Sequence, residues 1–352
     1  MLKNFDENKR NSRPRVGITV GDPAGIGAEV TLKAVADKTV LESCLPVIIG
    51  DAEFLQKAAA LLGLQADYRI VREDTETQSE ILINSPDPLI YDCPNIKTEI
   101  EFGIESAITG KASAEYIEKA VTLCLEHKIE AIATAPISKN ALKMANVPFP
   151  GHTEFLAYLT ATTEFAMSFF AGNLRVVLLS THVSLKDALK LVQHQAIANL
   201  IRLTDRELKK LGIATPKIAV AALNPHGGEN QMFGSEEVAE ISPAITECRA
   251  EGINVVGPFS ADTVFLRNAR GEFDVVIAHY HDQATIPVKS LAFGEAVNVT
   301  LGLPIIRTSV DHGTAFDIAG KNLAEHSSMK TAIMLAAELS RRKTVYQSKA
   351  AI

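Results

Sequence analysis

Cysteine is scarce in this chain, and its arrangement fits no metal-binding or disulfide motif. The 352 residues include four cysteines, which are far apart and form no CxxC pair: Cys44, Cys93, Cys124 and Cys248. Such spacing predicts reduced thiols that pack in the interior of a cytoplasmic protein rather than a cysteine-held metal site.

A basic block and a long apolar run are also missing. The formal net charge is -7, and without a basic cluster nucleic acid is not expected as the main partner. No stretch of 18 apolar residues occurs, so we expect no membrane span. The N-terminus, MLKNFDENKRNSRPR, lacks the apolar core of a secretory signal, and we expect residues 1–14 to form a flexible tail.

Three common catalytic fingerprints are absent. The segment GDPAGIGAE follows the first apolar run, but Gly21, Gly25 and Gly27 do not have GxGxxG spacing and no GK[ST] follows them. A tight strand-to-helix turn and a ligand contact remain equally open there. The chain has no GxSxG elbow, which disfavours a serine hydrolase.

Short β-branched runs alternate with longer amphipathic stretches along the chain. Strands are predicted at residues 15–20, 45–50, 130–135, 166–171, 175–180, 217–223 and 274–278. Helices are predicted at residues 25–36, 52–62, 106–127, 185–211, 236–251 and 327–341. This alternation predicts an α/β fold with a mostly parallel sheet covered on both faces. The polar residues 72–94 are predicted to form an irregular surface segment.

Three predicted strands each end in a histidine. RVVLLSTHVS leads to His182, KIAVAALNPHGGE to His226, and DVVIAHYHDQ to His279 and His281. Because ligands bind beyond the carboxyl ends of parallel strands, a metal or catalytic cluster is expected there. Three imidazoles would suit zinc, cobalt, nickel or iron. Alternatively, each histidine hydrogen-bonds locally, and spacing alone does not choose between His279 and His281.

Other polar residues indicate an anion site. In FPGHTEFLA, His152 and Thr153 open a predicted helix whose N–H groups favour an anion, although Thr153 could simply cap the helix. Lys289 and Arg307 lie in apolar stretches, where a charge needs a structural carboxylate or a substrate anion as its partner. The loop DHGTAFDIAGKN, rich in small residues, allows close approach of a ligand to backbone.

These segments carry a family resemblance over residues 16–337. In order, they read GDPAGIGAE, TAPISKNAL, FPGHTEFLA, STHVSL, LNPHGGENQMFGSEE, GPFSADTVF, YHDQATIPVK and VNVTLGLPIIRTSVDHGTAFDIAGK. The chain resembles the 4-hydroxythreonine-4-phosphate dehydrogenase family of pyridoxal 5'-phosphate biosynthesis. More distantly, its first and last blocks resemble isopropylmalate and isocitrate dehydrogenases, which lack the Rossmann fingerprint.

The resemblance implies a two-domain organisation. It implies two α/β/α domains with a cleft between them and a homodimer whose subunits share each site. The cofactor-side domain would comprise about residues 15–140 plus 300–352, and the metal- and dimer-side domain about residues 141–299.

The resemblance also assigns roles to particular residues. Metal ligands would be His182, His226 and His281, shared across the dimer, and the substrate would contact His152, Thr153, Lys289, Asn298 and Arg307. The cofactor NAD would lie along Asp311, Gly313, Thr314, Asp317 and Lys321. The choice of His281 follows from alignment to the family's YHDQ block. That choice leaves His279 as a packing or hydrogen-bonding residue and Asp282 as a group that orients its neighbour.

The implied reaction is an NAD-dependent oxidation of 4-phosphooxy-L-threonine to 2-amino-3-oxo-4-phosphooxybutanoate. This β-keto acid then loses CO2 to give 3-amino-2-oxopropyl phosphate. A divalent cation (zinc, magnesium or cobalt) would lower the pKa of the substrate hydroxyl, and Asp262 or Lys289 would carry the proton.

Three alternatives to this reaction remain open. A sub-family of the same resemblance acts on 4-phospho-D-threonate or 4-phospho-D-erythronate. The other two are a metal-dependent hydrolase and a non-catalytic metabolite-binding protein.

Overall fold

The chain divides into two units, each built from strands and helices. The structure, a computed structural model, describes residues 13–72, 76–292 and 294–350. Residues 1–163 and 303–345 form the first unit, and residues 164–302 with 346–352 form the second. By this division the first unit continues to residue 163, whereas the family resemblance implied a boundary near residue 140. Of the expected tail at residues 1–14, all but Arg13 and Pro14 lies outside the described residues.

Six parallel strands form the sheet of the first unit, in the order β3-β4-β2-β1-β5-β12. Numbered along the whole chain, they are β1 (Arg15–Thr19), β2 (Leu45–Gly50), β3 (Arg69–Val71), β4 (Leu89–Asp92), β5 (Ala131–Thr134) and β12 (Ile306–Ser309). Every residue of β4, β5 and β12 is buried, as expected for parallel strands with both faces covered.

The helices of the first unit follow or precede these strands. They are α1 (Gly27–Val35), α2 (Lys38–Ser43), α3 (Ala52–Leu62), α4 (Glu76–Asn84), α5 (Ala107–Leu125), α6 (Lys139–Met144), α7 (His152–Leu159) and α13 (Ser327–Ala350), the last continuing past residue 345. Side-chain caps start several of them: Asp51 accepts from the Phe54 amide at 2.9 Å, and Ser106 forms a capping box with Thr109.

The second unit contains the six remaining strands, in the order β11-β6-β7-β10-β8-β9. They are β6 (Ala166–Ala171), β7 (Leu174–Leu178), β8 (Ile218–Ala221), β9 (Val255–Phe259), β10 (Val275–Ala278) and β11 (Val297–Leu301). β6 pairs antiparallel with both β7 and β11, whereas β7, β10, β8 and β9 are parallel. The histidine-bearing segments described below follow the parallel strands.

Five α-helices accompany the described strands of the second unit. They are α8 (Leu185–Leu191), α9 (His194–Lys210), α10 (Ser242–Ala250), α11 (Ala261–Ala269) and α12 (His281–Leu291). A 3-10 turn at Pro225–Gly228 follows β8, and a π turn at Glu237–Ile241 leads into α10. Val176, Ala219, Val276 and Val288 belong to the hydrophobic core of this unit, so strands and α12 share one buried layer.

The α/β class and the mostly parallel strand arrangement predicted from sequence are confirmed. Two local predictions were wrong. Residues 72–94, expected to be irregular, contain α4 and β4, because a four-residue strand is too short to give a clear pattern. The single helix predicted over residues 185–211 is two helices, since Val192 and Gln193 have non-helical backbone angles.

Two further sequence-based expectations concern the thiols and the membrane. All four cysteines are free, and three of them are buried, in agreement with a packing role. In the part of the chain that the structure describes, no helix combines the length and apolar character needed to span a bilayer.

Candidate functional site

Three histidines of the second unit follow neighbouring parallel strands. β10 pairs with β7 on one side and with β8 on the other, in the same direction. His182 follows β7, His226 follows β8, and His281 follows β10. The fold thus brings all three strand ends to one edge of the sheet, as the sequence pattern predicted.

His182 and His281 have a separation suited to a shared cation. Their ring centroids are 5.9 Å apart. With a metal–nitrogen distance of about 2.0–2.1 Å, an imidazole centroid lies roughly 3.2 Å from a bound ion. Two ligands on one ion can therefore have centroids up to about 6.4 Å apart, so these two rings fit.

The ring of His281 is oriented by its neighbour. His281 Nδ1 and Asp282 Oδ1 are 2.7 Å apart, and the carboxylate accepts the proton that Nδ1 carries. That hydrogen bond leaves Nε2 as the nitrogen for a ligand, an arrangement common among metal-bound histidines. Asp282 therefore has the orienting position expected from sequence.

His226 lies in a strained turn. Its backbone adopts φ 51° and ψ 26°, in the left-handed region, and its side chain is exposed. Among the described residues, no group of three His, Cys, Asp or Glu side chains has the geometry to hold a metal ion. Only two of the three predicted ligands are therefore shown to be near one another.

His279, the other imidazole of AHYHDQ, is buried and makes different contacts. Its Nε2 donates to the Ala221 carbonyl at 2.7 Å, and its side chain is fully inaccessible to solvent. Burial lowers the pKa of His279 to about 4. A neutral ring whose Nε2 is occupied by a carbonyl has the hydrogen-bonding role assigned to it above.

The other residues predicted in this unit differ in exposure. Asp262 is exposed in the first turn of α11, and Lys289 is exposed in the last turn of α12. The apolar surroundings expected for Lys289 are therefore not found. Asn298, in β11, is partly exposed, but its Oδ1 is buried and has no hydrogen-bond partner among the described residues.

In the first unit, Arg307 is a buried cation. It lies in β12 beside β5 and is 2% exposed. Its Nε and Nη2 donate to the Thr134 hydroxyl at 3.2 and 2.8 Å. Burial lowers the pKa of Arg307 to about 9, while the charge of Glu154 acts in the opposite direction. The guanidinium is therefore still charged at neutral pH.

His152 opens α7 near this cation. Burial and the Arg307 charge lower the pKa of His152 well below 6.5, so the ring is neutral. Its Nε2 is buried and has no partner among the described residues. No described side chain caps the helix at Gly151, so Thr153 is not a simple cap. A cation, an unpartnered imidazole nitrogen and a helix start together favour an anion.

The predicted cofactor loop packs on the GDPAGIG turn. The Thr314 carbonyl accepts from the Ile26 amide at 3.0 Å. Asp311, Asp317 and Lys321 are exposed, and Lys321 Nζ donates to the Asp317 carbonyl at 2.7 Å. At Gly313 no described atom lies within 4 Å of the place a Cβ would occupy. The loop thus offers open backbone and carboxylates, which suit a ribose and its phosphates.

Chain packing explains two glycines of GDPAGIG. A Cβ on Gly21 would lie 2.1 Å from the Pro136 carbonyl oxygen, and one on Gly27 would lie 1.9 Å from that of Val20. Both positions therefore require glycine for the strand-to-helix turn itself. Ligand contact is not needed to explain them.

The first unit also has a cavity that no motif indicated. It has a volume of about 770 Å³ and lies beside the carboxyl ends of β2 and β4. Phe54 and Phe102 line it with a centroid separation of 6.2 Å, and its charged lining residues are of both signs, including the ion pair of Lys57 with Glu53. Nothing in the sequence pattern distinguishes these residues from ordinary surface ones.

Sequence reasoning also missed two residues, Thr134 and Gln283. Thr134 accepts from Arg307, and Gln283 connects two histidine-bearing segments, since it accepts from the His279 amide and donates to the Ala222 carbonyl. The only signal for Thr134 was a polar residue at the end of an apolar strand, in AIATAP. For Gln283 the signal was its place in YHDQ.

Comparisons with known proteins agree with this architecture. The family described as "Pyridoxal phosphate biosynthetic protein PdxA" matches residues 42–336. A D-threonate 4-phosphate dehydrogenase from Cupriavidus necator is 45% identical, over 94% of this chain and 98% of that protein. A 4-hydroxythreonine-4-phosphate dehydrogenase from Geobacter metallireducens is 43% identical, over 95% and 97% of the two chains.

A solved structure extends the likeness to three dimensions. The crystal structure of 4-hydroxythreonine-4-phosphate dehydrogenase from Klebsiella pneumoniae superposes with a TM-score of 0.86 at 39% identity, covering 94% of this chain and 99% of that one. These matches span nearly the full length of each relative. The chain therefore belongs to the PdxA family, whose relatives here are named as dehydrogenases.

Proposed function

We propose that this chain oxidises 4-phosphooxy-L-threonine to 2-amino-3-oxo-4-phosphooxybutanoate, with NAD as hydride acceptor and a divalent cation. The product, a β-keto acid, then loses CO2 to give 3-amino-2-oxopropyl phosphate. The observation that carries the proposal is the buried, charged Arg307 near His152 at a helix start that no described side chain caps. Such a group suits the phosphate or carboxylate of this substrate.

Residues of the first unit are proposed to bind and orient the anionic group of the substrate. Arg307 contributes a positive charge in a buried place, where solvent screens its attraction for an anionic substrate group only weakly. His152 offers its buried Nε2, and Thr153 offers a hydroxyl in the first turn of α7. Lys289 and Asn298, at the family's substrate positions, are proposed to make further contacts.

The second unit supplies the cation ligands in this proposal. His182 and His281, with ring centroids 5.9 Å apart, would hold zinc, magnesium or cobalt together with His226. A bound cation would lower the pKa of the substrate hydroxyl and stabilise negative charge on the oxidised carbon's oxygen. Asp282 holds the ring of His281 in place through its 2.7 Å contact.

The loop after β12 is proposed to hold NAD, which accepts the hydride. Asp311, Gly313, Thr314, Asp317 and Lys321 would line it, with the open backbone at Gly313 allowing close approach. Carboxylates near a ribose favour its hydroxyls over a 2'-phosphate, which supports NAD over NADP.

Two residues are candidates for removing the hydroxyl proton. Asp262 and Lys289 are both exposed in this chain, and each could pass a proton to solvent. Exchanging each singly, as Asp262→Asn and Lys289→Met, distinguishes them. The residue that carries the proton is the one whose loss lowers kcat while leaving the substrate's Kd close to that of the wild type.

A second substrate is favoured by one specific observation. The relative from Cupriavidus necator, at 45% identity, is named D-threonate 4-phosphate dehydrogenase. 4-Phospho-D-threonate and its close relative 4-phospho-D-erythronate have the same phosphate and secondary alcohol but a hydroxyl instead of an amino group at C2. The second candidate function is therefore the oxidation of these sugar acids in catabolism.

Parallel assays of NADH formation test both functions. The purified protein is given NAD, a divalent cation and either 4-phosphooxy-L-threonine or 4-phospho-D-threonate. A higher kcat/KM for 4-phosphooxy-L-threonine supports the main proposal. A higher kcat/KM for 4-phospho-D-threonate supports the second candidate function instead. Substrate cleavage without NADH would instead indicate a metal-dependent hydrolase. Full activity after complete chelation would contradict the role of the cation.

A homodimer is part of the proposal. Apolar side chains near the histidine segments are exposed in the single chain, including Met232, Phe233 and Leu185. Met232 and Phe233 are adjacent and both exposed, and a contiguous exposed apolar surface is one that a partner can cover; a second copy of this chain is the partner we infer. We also infer a cytoplasmic location from the metabolic role of the family, with no nucleic-acid or membrane partner.

A further inference from the structure

We propose that His279 is a positioning residue that fixes the relative placement of the three histidine-bearing strand ends, with Gln283 as its partner. The inference rests on the proposed function, in which His182, His226 and His281 hold a cation. His279 itself is not a ligand in this proposal. It acts through hydrogen bonds to the backbone segments that precede those ligands.

The regular pairing of strands stops before the histidines are reached. Between β10 and β8 the last paired residues are Ile277 and Val220. His281 lies four residues beyond Ile277, and His226 lies six beyond Val220. Without further contacts, the two segments would be free to move apart where the ligands lie.

Beyond the last paired residues, side-chain hydrogen bonds connect the two segments. His279 Nε2 donates to the Ala221 carbonyl at 2.7 Å. Gln283 Oε1 accepts from the His279 amide at 2.7 Å, and Gln283 Nε2 donates to the Ala222 carbonyl at 2.7 Å. Two successive carbonyls of the His226 segment are therefore tied to the His281 segment.

The third segment is tied to the same residue. The Ser180 hydroxyl donates to the His279 carbonyl at 2.8 Å, two residues before His182. His279 thus contacts all three segments through its ring, its amide and its carbonyl. His279 and Gln283 are 0% and 7% exposed, so water does not compete for these hydrogen bonds.

The sheet contains a matched control at its opposite end. Asn268 is fully buried, accepts from the Arg175 amide at 2.9 Å and donates to the Phe273 carbonyl at 2.8 Å. It therefore connects the segments that enter β7 and β10, far along both strands from the histidines. Loss of this residue disturbs the same sheet without touching the strand ends that carry His182 and His281.

Cation binding by purified full-length variants tests the proposal. His279→Met removes the ring donor at similar volume, His279→Gln keeps an amide donor, and Asn268→Leu is the control. Titration with Zn²⁺ alone gives the Kd, and the d–d absorption of bound Co²⁺ reports ligand geometry. We expect His279→Met to weaken Zn²⁺ binding about 10- to 100-fold and to change the Co²⁺ spectrum. His279→Gln should keep most of the wild-type Zn²⁺ affinity and Co²⁺ spectrum. Asn268→Leu should lower the stability of the fold without changing either.

The outcomes separate this inference from the function on which it rests. A wild-type Kd and Co²⁺ spectrum in His279→Met overturn the positioning role only. Absence of Zn²⁺ binding by the wild type overturns the proposed cation centre and this inference with it. If His279→Met does not fold, Gln283→Leu, which removes the hydrogen bond to Ala222, is measured in its place under the same criteria.

Discussion

At the scale of single residues, the buried Arg307 depends on Thr134. The Thr134 hydroxyl accepts from two nitrogens of the guanidinium, and both residues are buried. Thr134→Val keeps the shape but leaves these donors unsatisfied, which we expect to reduce the free energy of unfolding by about 1–3 kcal/mol. Substrate KM should rise as well, because the guanidinium of Arg307 loses two of the hydrogen bonds that orient it.

Urea unfolding and steady-state kinetics check this prediction. Thr134→Ser, which retains the hydroxyl, serves as the control and should stay near the wild type in both measurements. Equal stability of Thr134→Val and the wild type would show that other groups satisfy Arg307 without the threonine.

A pH dependence follows from His152. Its pKa in the folded chain is well below the unfolded value near 6.5, because of burial and the Arg307 charge. At pH values below about 6.5 the unfolded chain therefore binds a proton that the folded chain does not, and stability falls with falling pH. His152→Gln removes this contribution.

The comparison of two pH values tests this reasoning. Between pH 7.5 and pH 5, the wild type should lose more stability in urea unfolding than His152→Gln does. An equal loss in both proteins would mean that His152 titrates normally in the folded state.

Residue types at strand ends were readable from the sequence, but their partners were not. His182, His226 and His281 each follow an apolar run, so their common sheet edge could be predicted. Thr134 and Gln283 look like ordinary polar residues, since their roles depend on pairings 173 and 61 residues away in sequence. Such long-range contacts leave no local pattern.

At the scale of elements, the turn before α1 and the loop after β12 are packed against each other. A Cβ on Gly25 would lie 3.0 Å from both the Cβ and the carbonyl oxygen of Thr314. In Gly25→Ala the loop must therefore shift by a few tenths of an ångström. We expect a stability loss of about 1 kcal/mol and weaker NAD binding.

Isothermal titration with NAD measures the effect, and Gly21→Ala provides the contrast. At Gly21 the backbone has φ +73° and a Cβ would lie 2.1 Å from a carbonyl oxygen, so that variant should lose folded protein rather than affinity. If a folded Gly25→Ala protein binds NAD with wild-type affinity, the loop after β12 does not contribute to cofactor binding.

Strands and helices with a clear hydrophobic pattern were predictable from the sequence. Short elements and elements that mix polar and apolar residues were not. β2 and β6 have the predicted bounds, because both are six-residue segments in which nearly all residues are apolar. β11 and β12 were missed, since VNVTL and IRTS mix polar and apolar residues. The antiparallel direction of β6 relative to β7 did have a sequence signal that was missed: the connection Gly172–Asn173 is two residues long, which suits a hairpin and is too short for a parallel crossover.

At the scale of the whole molecule, exposed apolar side chains predict self-association. Met232 is 73% exposed and Phe233 is 49% exposed, both in the segment that follows His226. The double variant Met232→Glu/Phe233→Glu places two charges on this surface. We expect it to convert a dimer to a monomer, because burial of unpaired charge at an interface is unfavourable.

Sedimentation velocity of both proteins tests the assignment. Leu61→Glu is the control, since Leu61 is 66% exposed but belongs to the first unit, and it should remain dimeric. A dimeric double variant would place the interface elsewhere on the chain.

The backbone conformation of the turn after β8 lowers the local stability of this segment. Six successive residues, from His226 to Gln231, have positive φ, and four of them are not glycine. Each such non-glycine residue costs about 1–3 kcal/mol relative to ordinary backbone. This segment therefore lies at the low end of local stability and should open, exchange its amide hydrogens and admit a protease before the strands on either side do.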